Sequence, residues 1–87
     1  MWHHLCIDDP NDALQLSNAL LQESLPLAAA VGIGGFRIWS RLDKHTGGVH
    51  FYFSPEASSL AARHGAQSCE PPSREDLGSL LFGDPIP

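Results

Sequence analysis

Gly35–Ser54 reads GFRIWSRLDKHTGGVHFYFS, and its two flanks alternate on a strand period about a turn-forming centre. Phe36, Ile38, Leu42, Val49, Phe51 and Phe53 fall on one face; Arg37, Trp39, Arg41, His50 and Tyr52 fall on the other. Successive residues of a strand point to opposite sides, so the pattern specifies a hairpin with one apolar face. Asp43–Gly48 supplies the turn, where Gly47 and Gly48 can take positive φ without a Cβ penalty. The second face is unusual for a solvent-washed sheet, because Trp and Tyr lie between cations. It is expected to touch a second subunit, a ligand or another part of the chain.

Working outward, Trp2–Ile7 reads as a first strand stopped by Asp8 and Asp9. Asp9 before Pro10 suits a helix N-cap, Pro10 the first helical position and Asp12 the positive end of the dipole. Ala13, Leu14, Leu16, Leu20 and Leu21 then form an apolar stripe on a helix expected to end before Pro26. Leu27–Gly35 is assigned to loop. Ser54, Pro55 and Glu56 repeat the cap, proline and acid order, starting a second helix with Ala57, Leu60 and Ala61 inward and Gly65 at its end. Ala66–Glu70 is a fourth strand broken by Pro71 and Pro72. Ser73 and Asp76 form a capping-box relative ahead of Leu77, Leu80 and Leu81, which predicts a third helix to Phe82.

The order is strand, helix, strand, strand, helix, strand, helix. It predicts an α+β fold, a ferredoxin-like βαββαβ sandwich with an appended C-terminal helix, in which two helices cover one face of the sheet. A single α+β domain spans residues 1–83, and 84–87 form a frayed tail. In that sandwich the first strand lies beside the third. Trp2, His4 and Cys6 then join Arg37, Trp39, Arg41, His50 and Tyr52 on the uncovered face, with Leu5 and Ile7 turned to the helices.

Composition limits the function classes. The chain has 87 residues, an apolar fraction of 43% and two Trp, which suits one small folded core. Ten acidic residues against five Lys plus Arg give a formal charge of −5, which disfavours nonspecific nucleic-acid binding. No run approaches the roughly 20 apolar residues a membrane helix needs. Met1 is followed by Trp2, His3 and His4, with neither a basic leader nor a cleavage site, so no secretory signal is expected. Cys6 and Cys69 read as reduced thiols, and the expected location is the cytoplasm.

Three chemistries are weighed on the uncovered face. His4, Cys6 and His50 offer nitrogen and sulfur ligands on adjacent strands, or a thiolate and imidazolium pair, so a small metal or thiol enzyme is one alternative. No finger spacing, orienting carboxylate or oxyanion site accompanies them, and no metal or cofactor is expected. Asp8, Asp9 and Asp12 cap and charge a helix. Gly32, Gly34 and Gly35 lead into a strand rather than a helix, which is turn chemistry and not a phosphate loop. His45 is a turn residue, and His64 sits at the negative end of the second helix.

Asp43–Ala57, DKHTGGVHFYFSPEA, resembles the stretch of an RNA-recognition motif that joins its second and third strands to its second helix. The resemblance implies single-stranded nucleic-acid binding on the sheet, with Trp39, Tyr52, Arg37 and Arg41 at stake. It departs at His50 and Tyr52, which stand where paired aromatics are wanted, and at Phe51 and His4. Aromatic residues and Arg are also what interface cores collect. The leading expectation is therefore an interaction module without catalytic activity, a homodimer or the binder of a protein partner. Its contact residues are Trp2, His4, Arg37, Trp39, Arg41, His50 and Tyr52.

Overall fold

The computed structural model describes residues 1–31 and 34–84. Its elements in order are β1 (Trp2–Ile7), α1 (Pro10–Val31), β2 (Ile38–Leu42), β3 (Val49–Phe53), α2 (Ser58–Arg63), β4 (Gln67–Cys69), α3 (Arg74–Leu77) and β5 (Ser79–Phe82), with a 3-10 turn over Pro55–Ala57 ahead of α2. The fold is α+β. Its antiparallel sheet has five strands in the spatial order β4-β1-β3-β2-β5.

The alternation read from the hairpin decides which side of the sheet is buried. Phe36, Ile38, Phe51 and Phe53 are fully buried with Leu20, Ala28, Leu60 and Ala61 of the helices, and Leu5, Ile7, Val49 and Phe82 pack against this cluster. The rings of Phe36 and Phe82 meet edge to face with centroids 5.7 Å apart. Leu42 departs from the expected apolar face, being 61% exposed at the end of β2. The turn also needs its two glycines for different reasons. Gly47 takes φ 77°, whereas a Cβ on Gly48 would lie 2.9 Å from the Ile7 carbonyl oxygen.

α1 starts as the sequence indicates. Asp9 Oδ1 accepts from the Asn11 amide at 2.8 Å, and the Asp9 carbonyl accepts from the Ala13 amide at 2.9 Å. Its end differs: the helix runs through Pro26 to Val31, so the part of the assigned loop from Leu27 to Val31 is helical. Proline removes one helical hydrogen bond, but Pro26 and Gln22 are both on the exposed side, where water can satisfy the orphaned carbonyl. Burial of Ser24 and Ala28 continues the inward stripe of Ala13 and Leu20 across the gap. That stripe is also narrower than expected, since Leu14 and Leu21 are 62% and 41% exposed. Gly32 and Ile33 of the assigned loop lie outside the described residues.

The C-terminal segment is the largest departure. The helix expected from Ser73 to Phe82 stops at Leu77, and Ser79–Phe82 instead pairs with β2 as β5. Gly78 marks the break at φ 75°, and it lies so close to Arg41 that a Cβ would come within 2.7 Å of the Arg41 Cβ. A free β2 edge presents unpaired backbone groups, and pairing them outweighs the helical spacing of Leu77, Leu80 and Leu81. The Ser73 hydroxyl donates to Asp76 Oδ2 at 3.0 Å and accepts no capping bond from the helix backbone. β4 is shorter than expected, Gln67–Cys69 instead of Ala66–Glu70. Of the expected tail, Asp84 accepts a 2.5 Å hydrogen bond from Arg37 Nε through its carbonyl, and 85–87 lie outside the described residues.

Ser54 does not cap the following turn through its side chain. Its buried hydroxyl instead donates to the Gly35 carbonyl at 2.5 Å and accepts from the Arg37 amide at 2.8 Å, tying the exit of β3 to the entry of β2. Glu23 of α1 links the two helices. It accepts from Arg63 Nη1 at 2.9 Å and His64 Nε2 at 3.0 Å, so His64 has a carboxylate partner besides the helix end. These partners, Arg63 first, lower the Glu23 pKa.

Candidate functional site

Antiparallel register aligns the side chains of the sheet face opposite α1 and α2 in rows. His4 is paired with Tyr52 and Tyr52 with Trp39, while Trp39 is paired with Leu80 of β5. In the next row Cys6 is paired with His50 and His50 with Arg41. Neighbouring strands are about 4.8 Å apart, so residues within a row touch and diagonal neighbours reach one another through long side chains.

At the centre the structure joins three residues into a chain. His4 Nε2 and His50 Nδ1 are 2.8 Å apart, and His50 Nε2 lies 3.1 Å from Asp43 Oδ2. The His4 ring stacks on His50 with centroids at 5.0 Å and tilts over Tyr52 at 4.8 Å. Asp43 also accepts from the His45 amide at 2.9 Å. These bonds, His50's first, lower its pKa to about 2, so the carboxylate is ionised at neutral pH. An ionised carboxylate only accepts, which places a proton on His50 Nε2. With both rings neutral, His50 Nδ1 is then the acceptor and His4 Nε2 the donor. Burial, then His50, then Arg41 push the His4 pKa below its ordinary value.

Of the seven expected contact residues, His4, His50 and Tyr52 come together directly, and Trp39 and Arg41 flank them. Trp2 lies apart, lining an open cavity of about 600 Å³ with Met1, Pro55, Ser68, Cys69, Glu70 and Pro71. Arg37 is held at the far corner by Asp84. Arg41 is anchored as well: its Nε donates to the Asp76 carbonyl at 2.9 Å, which brings α3 onto the β2 side of this face. The indole Nε1 of Trp39 is buried and has no hydrogen-bond partner among the described residues.

Asp43 was not anticipated as a site residue, because its place in the turn had a sufficient explanation. The signal was the parity of the hairpin itself: residues 37, 39 and 41 share a face, and one further step reaches 43. Both cysteines are free. Cys6 is exposed, with its Sγ 3.9 Å from Asp8 Oδ1, and Cys69 is half-buried. Burial, then the Asp8 and Asp43 charges, raise the Cys6 pKa, which disfavours the thiolate a nucleophile needs. His4 and His50 spend facing nitrogens on each other. Among the described residues, no group of three or more His, Cys, Asp or Glu is arranged to hold a metal ion, and no helix is long and apolar enough to cross a membrane.

No protein-family model matches the chain, nor does any curated protein or solved structure.

Proposed function

We propose that the protein is a small interaction module without catalytic activity, whose sheet face opposite α1 and α2 pairs with the same face of a second copy. The fold underlying this reading is a ferredoxin-like βαββαβ sandwich in which β5 takes the place of the appended helix. Its support is the element order through β4 together with the neighbours of β1, which lies between β4 and β3. The observation that carries the function is the row His4, Tyr52, Trp39 and Leu80, running across four strands on the side away from the core. Tyr and Trp bury large areas at low entropic cost, which suits the centre of an interface.

A face that pairs with itself about a two-fold axis must carry both halves of every polar contact. Arg41 and Asp43 stand two residues apart on the same edge of this face and supply both signs. A single nucleic-acid strand on the same row is the weaker reading, because the chain carries a formal charge of −5. Sedimentation equilibrium over a wide concentration range tests the proposal. Wild-type protein is expected to show a dimer that dissociates on dilution, and Tyr52→Lys is expected to be monomeric with an unchanged far-UV spectrum. A wild type that stays monomeric throughout, or a Tyr52→Lys dimer of undiminished affinity, refutes it.

A further inference from the structure

The end of the sheet away from the hairpin loop holds a site that the aromatic row leaves out. The open cavity there has a volume of about 600 Å³, inside the range of about 300–1,000 Å³ usual for small-molecule sites, and Trp2, Pro55, Cys69 and Pro71 stand in its wall. The sheet register explains how they meet. β1 lies between β3 and β4, and Trp2 is paired with Cys69, so the indole and the thiol stand side by side on one face. Each flanking strand is followed, two residues past its end, by a proline: Pro55 after Phe53 and Pro71 after Cys69.

The strands that carry the prolines are about 10 Å apart, two strand spacings, with Trp2 between them. A proline ring fixes its own backbone φ and has almost no rotamer freedom to lose, so the two sides of this slot are rigid before anything enters. None of the four wall side chains is charged. Burial pushes the Cys69 thiol above its ordinary pKa, which keeps the sulfur neutral at pH 7. Among the other lining residues, Glu70 and the Met1 amino group bring one charge of each sign, and both residues are exposed to water. They offset one another, so the lining has no net charge to hold an ion. Ser68 is neutral.

We propose that this cavity binds an uncharged, flat aromatic ligand, its ring stacked on Trp2 and its edges held between Pro55 and Pro71. An indole offers the largest stacking face of any side chain, and the Met1 thioether beside it also favours aromatic contact. None of His4, Tyr52, Trp39 and Leu80 is in the lining, so the site does not rest on the self-pairing proposed above.

Free indole is the probe, titrated into the intact protein and into Tyr52→Lys, which breaks the self-pairing row and keeps every wall residue. Two readouts are followed: the Trp2 Nε1–H NMR signal, and the rate at which iodoacetamide alkylates Cys69, with the exposed Cys6 near the other end of β1 as internal reference. In both proteins a saturable Trp2 shift is expected, with alkylation slowed at least fivefold at Cys69 and unchanged at Cys6. Tryptamine, a cation, indole carboxylate, an anion, and the non-aromatic cyclohexanol are expected to bind at least tenfold more weakly. Trp2→Leu and Pro71→Ala are each expected to weaken binding at least threefold, and Pro71 is exposed, so its replacement leaves the core intact. Failure to saturate either protein, equal effects at the two cysteines, a charged probe bound as tightly as free indole, or undiminished affinity in both wall variants overturns the proposal. Failure in Tyr52→Lys is a failure of the cavity alone, and a wild type that sediments as a monomer yet binds free indole refutes self-pairing alone.

Discussion

Two buried serines make opposite use of their hydroxyls, and replacing each by alanine separates hydrogen bonding from volume. Ser54 is 2% exposed and Ser24 is fully buried. Ser54 Oγ bonds the Gly35 carbonyl and the Arg37 amide, two backbone groups of the irregular entry to β2. Ser54→Ala orphans both in a part-buried place. At about 1–3 kcal/mol for each group left unpaired, the loss for the two is about 2–6 kcal/mol. Ser24 Oγ donates at 2.5 Å to the Leu20 carbonyl, which lies four residues earlier in α1 and faces the Ser24 amide. Ser24→Ala therefore orphans nothing and gains up to about 0.5 kcal/mol of helix propensity.

Urea unfolding at pH 7 measures both variants. With a slope of about 1.5 kcal/mol/M, Ser54→Ala is expected to lower the midpoint by roughly 1.3–4 M, and Ser24→Ala to leave it unchanged or slightly raised. Unchanged slopes confirm that the two states being compared are the same. Equal losses in the two variants would falsify the reasoning, because the cost would then belong to the missing oxygen's volume and not to the orphaned backbone. A loss under about 0.5 kcal/mol for Ser54→Ala would equally refute it, showing that the β2 entry finds other partners.

Pro26→Ala restores an amide that can reach the Gln22 carbonyl within α1, and stability is expected to rise by about 1–2 kcal/mol after the unfolded chain regains its freedom; a loss on calorimetry would show that the proline positions Ala28. In acid, Asp43 has a folded pKa of about 2 against an ordinary 3.8, so its stabilising contribution is complete above pH 4 and is lost as pH falls towards 2. Asp43→Asn is expected to flatten that part of the profile of unfolding midpoint against pH, and a profile parallel to wild type below pH 4 would remove Asp43 from the account.

Hairpin parity was legible because a strand's two-residue period is set by covalent geometry and survives any tertiary context. Ile38, Phe51 and Phe53 are buried for that reason, and His4 meets His50 because the same rule holds in β1. Helix ends depend instead on what a segment packs against. Nothing local says that Leu27 and Ala28 will find the core beyond Pro26. Leu77, Leu80 and Leu81 have helical spacing, and Gly78 alone weakens a helix by only about 1 kcal/mol, too little to decide the outcome. The open edge of β2 decides it, and that edge exists only once the sheet has formed. Asp43 was hidden for a third reason: its turn role, accepting from the His45 and Thr46 amides, is real and coexists with its bond to His50.

The edges bear on how this sheet can associate. A sheet with a long unpaired edge grows by adding strands from another chain, and that route competes with pairing through the face. Here β4 is three residues long at one edge, and β5 is four residues long at the other, with a register shift opposite Ile38 and Trp39. Short and irregular edge strands are poor templates for a sixth strand. The conversion of the C-terminal segment from the expected helix into β5 therefore closes β2 and leaves Trp39 and Tyr52 uncovered by a long third helix. With edge growth blunted at both ends, the strand edges offer little competition to the face-to-face pairing proposed above.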